Sequence, residues 1–207
     1  MDTRRSDPHV LLGVCGASGL IYARRALFHL LGVPGVQVHV VASRAAFAVA
    51  RAEDDPGGAE DDPGDLEAAL AGAHHRHEPE RLDACVASGS FPLAGMVIAP
   101  CSLHTAMALA AGLADDLLLR AGQVCLKERR PLVLLLRETP LAAHHLRRLA
   151  ELAEAGAVVM PAAPGFYHRP DSIVALVDPL VLRALSFLRL PQLPAPPAWN
   201  PPAGQFD

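Results

Sequence analysis

Leu126-Lys127-Glu128-Arg129-Arg130-Pro131-Leu132-Val133-Leu134-Leu135-Leu136-Arg137-Glu138-Thr139-Pro140 is the stretch on which the reading of the fold turns. It reads as a helix end, a short aliphatic run and a charged segment. The run over residues 132–136 does not alternate apolar with polar, as a strand covered on one face would; it suits a strand buried on both faces. A second such run, residues 10–14, leads directly into Gly16-Ala17-Ser18-Gly19. In a parallel α/β sheet, ligands bind where the carboxyl ends of the strands meet the loops. Both stretches are therefore expected at one edge, with the glycines, Ser18, Lys127, Arg137 and Glu138 facing one crevice. That set suits a phosphorylated ligand and a proton-transfer step.

Working outward, strands and helices alternate. Residues 10–15 read as the first strand and 20–31 as a helix ended near Pro34-Gly35. Residues 36–42 read as the second strand, and Ser43 stands where a helix cap is expected, before 44–52. Residues 65–73 suit a short helix. Residues 96–99 read as a strand ending in Pro100-Cys101-Ser102-Leu103-His104-Thr105. Helices follow from Ala106 to a break near Gly112 and over 114–127. Pro140 fits the first position of a helix running to Glu154. A strand at 157–160, a loop at 161–170 and a helix over 172–188 that tolerates Pro179 complete the pattern. The expectation is a single α/β domain with a doubly wound parallel sheet, flavodoxin-like or Rossmann-type. It spans residues 10–190, after a tail at 1–9 and before an extended tail at 191–207 that holds six prolines.

Composition narrows the class. The chain has 207 residues, 51% of them hydrophobic and only 4% aromatic, as aliphatic buried strands require. No apolar run approaches the ~20 residues that span a bilayer, and 10–14 is too short for a signal-peptide core. A cytoplasmic location is the default expectation. Residues 53–67 hold eight acids and no Lys or Arg, which leaves 14 acids against 18 Lys and Arg elsewhere. A mildly basic body suits a small anionic ligand and is too weak an excess for nucleic acid. Glu-Asp-Asp-Pro-Gly occurs twice, at 53–57 and 60–64, and reads as a solvated acidic insertion. His74-His75-Arg76-His77 reads as a solvated loop, with no metal expected. Cys15, Cys85, Cys101 and Cys125 are scattered without a C-x-x-C pair and read as buried free thiols.

The candidate chemistry lies in four places. The glycine loop opens a helix whose N–H groups and dipole favour a phosphate, but a tight turn without a ligand accounts for it equally well. Ser102 and Thr105 suit a helix cap, a ligand contact or both. Ser88-Gly89-Ser90 reads as a hydroxyl-rich turn. Arg137-Glu138 suits either a ligand site or a salt bridge to a neighbouring helix.

Taken in order, Gly16-Ala17-Ser18-Gly19 with Tyr22, Ser43, Ser88-Gly89-Ser90, Met96-Val97-Ile98 with Pro100-Cys101-Ser102, Lys127 to Leu134, Arg137-Glu138-Thr139-Pro140, Gly156-Ala157-Val158 and Gly165-Phe166-Tyr167-His168-Arg169-Pro170 resemble the flavin prenyltransferases of the UbiX family. The resemblance runs over residues 10–190. It implies a flavodoxin-like fold binding FMN, and transfer of a dimethylallyl group from dimethylallyl phosphate to N5 and C6 of the reduced flavin. The product, prenylated FMN, serves a UbiD-type decarboxylase. Flavin contacts are implied for Gly16, Ala17, Ser18, Ser43, Ser102, Leu103, His104, Thr105 and Arg137. Lys127, Tyr167 and Arg183 are implied to hold the dimethylallyl phosphate. Ser18, Glu53, Lys127 and Glu138 are implied as catalytic, with Glu138 moving a proton alongside Ser18 and no metal required. His104 stands where many members carry Lys, Cys15 where Ser or Thr is common, and Trp199 matches a tail tryptophan loosely. Homo-oligomers, often dodecamers with sites at subunit interfaces, are also implied. Two other readings stay open: an FMN-dependent cysteine decarboxylase of the same superfamily, and a flavin carrier or decarboxylase subunit without turnover.

Overall fold

The computed structural model describes residues 7–54, 62 and 64–198. Within them, β1 (His9–Val14), β2 (Gln37–Ala42), β3 (His75–His77), β4 (Leu93–Cys101), β5 (Leu132–Leu136) and β6 (Val158–Pro161) form a six-stranded sheet. Every pairing is parallel, in the order β3-β2-β1-β4-β5-β6. Parallel strands need crossovers, which hold α1 (Ile21–Leu31), α2 (Arg44–Glu53), α3 (Leu66–Ala71), α4 (Leu103–Ala110), α5 (Leu117–Lys127) and α6 (Ala143–Glu154); α7 (Ile173–Ser186) follows the last strand. Helices α1, α2, α3 and α7 share one apolar cluster with the sheet, and α4, α5 and α6 share the other. With both faces covered, Leu132 to Leu136 are at most 4% exposed, so alternation has no place in β5. None of the described helices is long and apolar enough to cross a membrane.

The helix starts follow from local chemistry. Ser43, Asp65, Ser102, Asp116 and Ser172 each accept a hydrogen bond from the backbone N–H three residues on. Pro140 does not open α6. Residue 142 is still extended, and the helix begins at Ala143, where the His145 ring accepts from the Ala142 N–H at 3.1 Å.

Two expectations about polar segments are corrected. The acidic insertion is not wholly solvated. Residues 55–61 and 63 lie outside the described residues, but Asp62 is 6% exposed and grips the buried Arg24 of α1 with both oxygens, at 2.7 and 2.9 Å. Asp54 adds a 3.4 Å contact to the same guanidinium and accepts from the Leu66 N–H. A buried arginine requires such neutralisation, and the acid-rich segment provides it.

Residues 74–77 are not a loop, since His75 to His77 form the edge strand β3. Imidazoles pack as flat amphipathic rings and Arg76 is paired with Glu67, so the segment pairs and stacks as an edge strand. His39 of β2, 2% exposed, stacks on His75 and is hydrogen-bonded ring to ring with His77. Burial first, then the neighbouring histidines, pushes its pKa down to about 3.

Asp62→Ala leaves Arg24 buried with only the longer Asp54 contact. The expected loss is roughly 2–3 kcal/mol of unfolding free energy, read by urea denaturation. A loss under about 0.5 kcal/mol, the size expected for an exposed surface substitution, would show that the pair is solvated.

Candidate active site

The strand order reverses between β1 and β4, and the crevice outside their carboxyl ends is where an open parallel sheet accepts a ligand. Gly16-Ala17-Ser18-Gly19 leaves β1 there and Ser102-Leu103-His104-Thr105 leaves β4. Ser43 follows β2, and Arg137 and Glu138 follow β5. Gly16 is required by proximity, because a Cβ there would collide with Ala45 at the start of α2. Gly19 adopts φ +98°, a left-handed conformation that turns the chain into α1.

The α1 N-terminus is already occupied by a carboxylate from this chain. Glu53, the last residue of α2, accepts from the Gly19 N–H at 2.9 and 3.0 Å and from the Leu20 N–H at 2.9 Å. Its partial burial opposes ionisation, but a hydrogen bond from the Ser18 hydroxyl, the Leu20 and Gly19 N–H groups and Arg24 outweigh that and hold its pKa below the ordinary value. At this helix end an internal anion already satisfies the Gly19 and Leu20 N–H groups. Helices α2 and α4, which also start at this edge, are capped by the neutral hydroxyls of Ser43 and Ser102.

The floor of the crevice is a hydroxyl and thiol chain. Ser102 Oγ lies 3.0 Å from Thr105 Oγ1, which lies 3.1 Å from Cys15 Sγ. Cys15 and Cys101, scattered in sequence, are neighbours at the ends of β1 and β4. Their mutual hydrogen bond holds the Cys15 pKa down and, with burial, the Cys101 pKa up. Arg137 leaves β5 with its N–H bonded to the Cys101 carbonyl, while its side-chain Nε is buried without a hydrogen-bond partner among the described residues. A buried guanidinium N–H without a partner among the described residues is costly and offers a donor to a bound acceptor. Glu138 stands next, its carboxylate accepting from the Thr139 N–H at 3.0 Å.

Lys127 does not join this group, which corrects the single crevice expected from residues 126–140. It ends α5 and precedes β5, whereas Arg137 follows β5. Five residues rising about 3.3 Å each separate the two edges by roughly 13 Å or more. Lys127 pairs with Glu128 at 2.5 Å and touches the turn Ser88-Gly89-Ser90, where a Cβ on Gly89 would meet both side chains. Arg130 fixes that turn by donating to the carbonyls of Gly89 and Phe91 at 2.6 and 2.7 Å. Lys127 lines a cavity of about 400 Å³ between α4, α5 and α6.

Tyr167 and Arg183 line another, of about 450 Å³, closed by Pro179, Leu180 and the tail residues Pro196, Pro197 and Ala198. In one chain the candidate residues thus fall in three places. Trp199 lies outside the described residues. Sequence reasoning missed Arg24 and Arg130, whose roles depend on partners 38 and 41 residues away.

Comparison with known proteins gives this geometry its class. Residues 2–181 match the model of the Flavoprotein family. Flavin prenyltransferase UbiX of Synechocystis sp. is 44% identical over 192 residues, covering 89% of this chain and 93% of that protein. The Escherichia coli K12 protein of that name is 43% identical over 176 residues, covering 85% and 89%. The chain belongs to the UbiX flavin prenyltransferase family within the flavoproteins. Among solved structures, AnUbiX in complex with FMN and dimethylallyl pyrophosphate superposes with a TM-score of 0.81 at 37% identity, over 88% of this chain and 93% of that one. A dodecameric FMN-dependent UbiX-like decarboxylase from Escherichia coli O157:H7 superposes at 0.83 with 33% identity, over 93% and 100%.

Because its folded pKa is depressed, Glu53 contributes stability above its unfolded pKa and loses it as pH falls through the folded value. Glu53→Gln should lower stability at pH 7 and flatten the acid limb of the stability curve below about pH 4.5. Equal slopes for wild type and variant, measured by thermal melts from pH 7 to pH 3, would contradict the carboxylate cap.

Proposed function

We propose that the protein is a flavin prenyltransferase that joins a dimethylallyl group from dimethylallyl phosphate to N5 and C6 of reduced FMN. The observation that carries this reading is the buried, unpartnered Nε of Arg137 at the switch-point crevice, in a chain of the UbiX family. FMN is held by the turn Gly16-Ala17-Ser18, the hydroxyls of Ser43, Ser102 and Thr105, the backbone of Leu103 and His104, and the Arg137 guanidinium. These residues fit a planar, phosphate-bearing ligand: an unpaired planar donor, a close-approach glycine and two capped helix N-termini border one crevice. When bound, reduced flavin supplies the nucleophilic N5 and C6 positions.

The chain's own residues do the rest. Cleavage of the allylic C–O bond sends the electron pair out with the phosphate, and Lys127, Arg183 and the Tyr167 hydroxyl receive it. These three donors take the place of a metal at the leaving group. Glu138 takes up the proton displaced by ring closure at C6, with Ser18 as relay. Glu53 holds Ser18 in place through its hydroxyl hydrogen bond. Release of prenylated FMN then serves a UbiD-type decarboxylase.

The placement of Lys127 supports an assembled site. It stands at the amino edge of the sheet and Glu138 at the carboxyl edge, so one chain does not bring both to one substrate. We assign Lys127 of each site to a neighbouring copy in a homo-oligomer of the dodecameric kind.

Co-expression tests this. Lys127→Ala and Glu138→Gln oligomers should each form prenylated flavin at no more than about 1% of the wild-type rate, the loss typical of a removed general acid or electrostatic donor. Mixed oligomers should recover about a quarter of wild-type turnover, the share of sites that draw both intact residues from different copies. Inactive mixtures would place both residues in one chain. Full activity of Glu138→Gln would remove its proton-transfer role.

A further inference from the structure

The sheet edge at β3 carries a cluster of groups that the flavin chemistry does not use. His39 on β2 lies between two other imidazoles, with its Nε2 2.9 Å from His9 Nδ1 and its Nδ1 2.9 Å from His77 Nε2. His75 stacks on His39 with ring centroids 4.3 Å apart, and Phe91 meets the His9 and His39 rings edge-on. Above His39 and His77 runs the short turn Cys85–Ala87, which leads towards β4. One ring nitrogen of His39, one of His77 and the Cys85 sulfur all lie within 4.8 Å of one another. His39 is buried, His77 half-buried and Cys85 exposed, so the cluster opens outward on the thiol side. Ser43, the nearest flavin-site residue along β2, is four residues on, about 13 Å along the strand.

We infer that His39 Nδ1, His77 Nε2 and Cys85 Sγ form a binding site for a zinc-class divalent cation, with a fourth position open to solvent. The donor set is borderline-soft, two imidazoles and a thiolate, which suits Zn²⁺ and its relatives and not Mg²⁺ or Ca²⁺. Tetrahedral bonds of about 2.0–2.1 Å to nitrogen and 2.3 Å to sulfur place neighbouring donors about 3.3–3.6 Å apart. The His39–His77 pair needs to open by a few tenths of an ångström and its rings to turn toward a common point, and the exposed Cys85 turn needs to close by up to about 1.2 Å.

The support around His39 suits the role. In the tautomer this site requires, His39 Nε2–H donates to His9 Nδ1 and leaves an Nδ1 lone pair, which faces His77 Nε2; ligating histidines commonly carry such an outer partner. Binding transfers no electrons. The Cys85 thiol loses its proton to solvent, and the proton on His77 Nε2 moves to its Nδ1. A bound cation ties β2, the three-residue edge strand β3 and the turn before β4 together. It stands apart from the flavin-contacting residues at the carboxyl edge.

The test uses the full-length, untagged protein, stripped with a chelator and titrated with Co²⁺ as an optical stand-in for Zn²⁺. The expected result is one ion per chain, the absorption of tetrahedral cobalt and a thiolate-to-cobalt band in the near ultraviolet. Cys85→Ser should lose that band, and Cys85→Ser and His77→Ala should each weaken binding at least about tenfold. His144→Ala, at an exposed position of α6, should bind as wild type does. FMN retention, measured separately on every variant, reports that the fold persists. No cobalt held by wild type, or equal binding by Cys85→Ser, His77→Ala and His144→Ala, overturns the site.

Discussion

Every strand in the sheet runs the same way, and that constraint orders the rest of the molecule. Each crossover helix must return antiparallel to the strands, so whatever follows a strand stands at the carboxyl edge and whatever precedes one stands at the amino edge. Arg137 and Glu138 gain their position from following β5, as the glycine turn does from following β1. Lys127 loses the same position by preceding β5. A chain whose chemistry needs both must obtain one of them from another copy, so the topology itself argues for assembly.

Charge placement adapts to the same frame. Helix N-termini converge on the carboxyl edge and concentrate partial positive charge there. At α1 that charge is matched from within by Glu53, which also orders Ser18. At α2 and α4 it is met only by neutral serine caps. At this edge a helix end compensated by a carboxylate, α1, therefore stands beside ends capped only by serine, α2 and α4. Behind it, Arg24 and Arg25 are buried against Asp62 and Asp178 in two-point contacts. An acid-rich loop that looks like a solubility device thus supplies a counter-ion to the core.

Much of this was legible in the residues. Aliphatic runs bounded by glycine, proline and serine mark the strands and their caps, and five of the six strands are found within two or three residues of the expected ends. Residues 74–77 failed because polarity suggested solvent, while neutral imidazoles stack and hydrogen-bond as a strand edge. The pairing of Glu53 with the Gly19 and Leu20 N–H groups spans more than thirty residues and leaves no local pattern. Nor does a linear motif say on which side of a strand its residues fall once folded, and Lys127 shows the cost of reading 126–140 as one face. The glycine turn, by contrast, was legible because its cause is local: Gly16 has no room for a side chain and Gly19 takes a left-handed φ.

The most direct measurement is the mass of the flavin recovered after anaerobic incubation of the purified protein with reduced FMN and dimethylallyl phosphate. The account predicts FMN heavier by one prenyl unit, with inorganic phosphate released in equal amount. FMN recovered unmodified from protein that retains both ligands would contradict it.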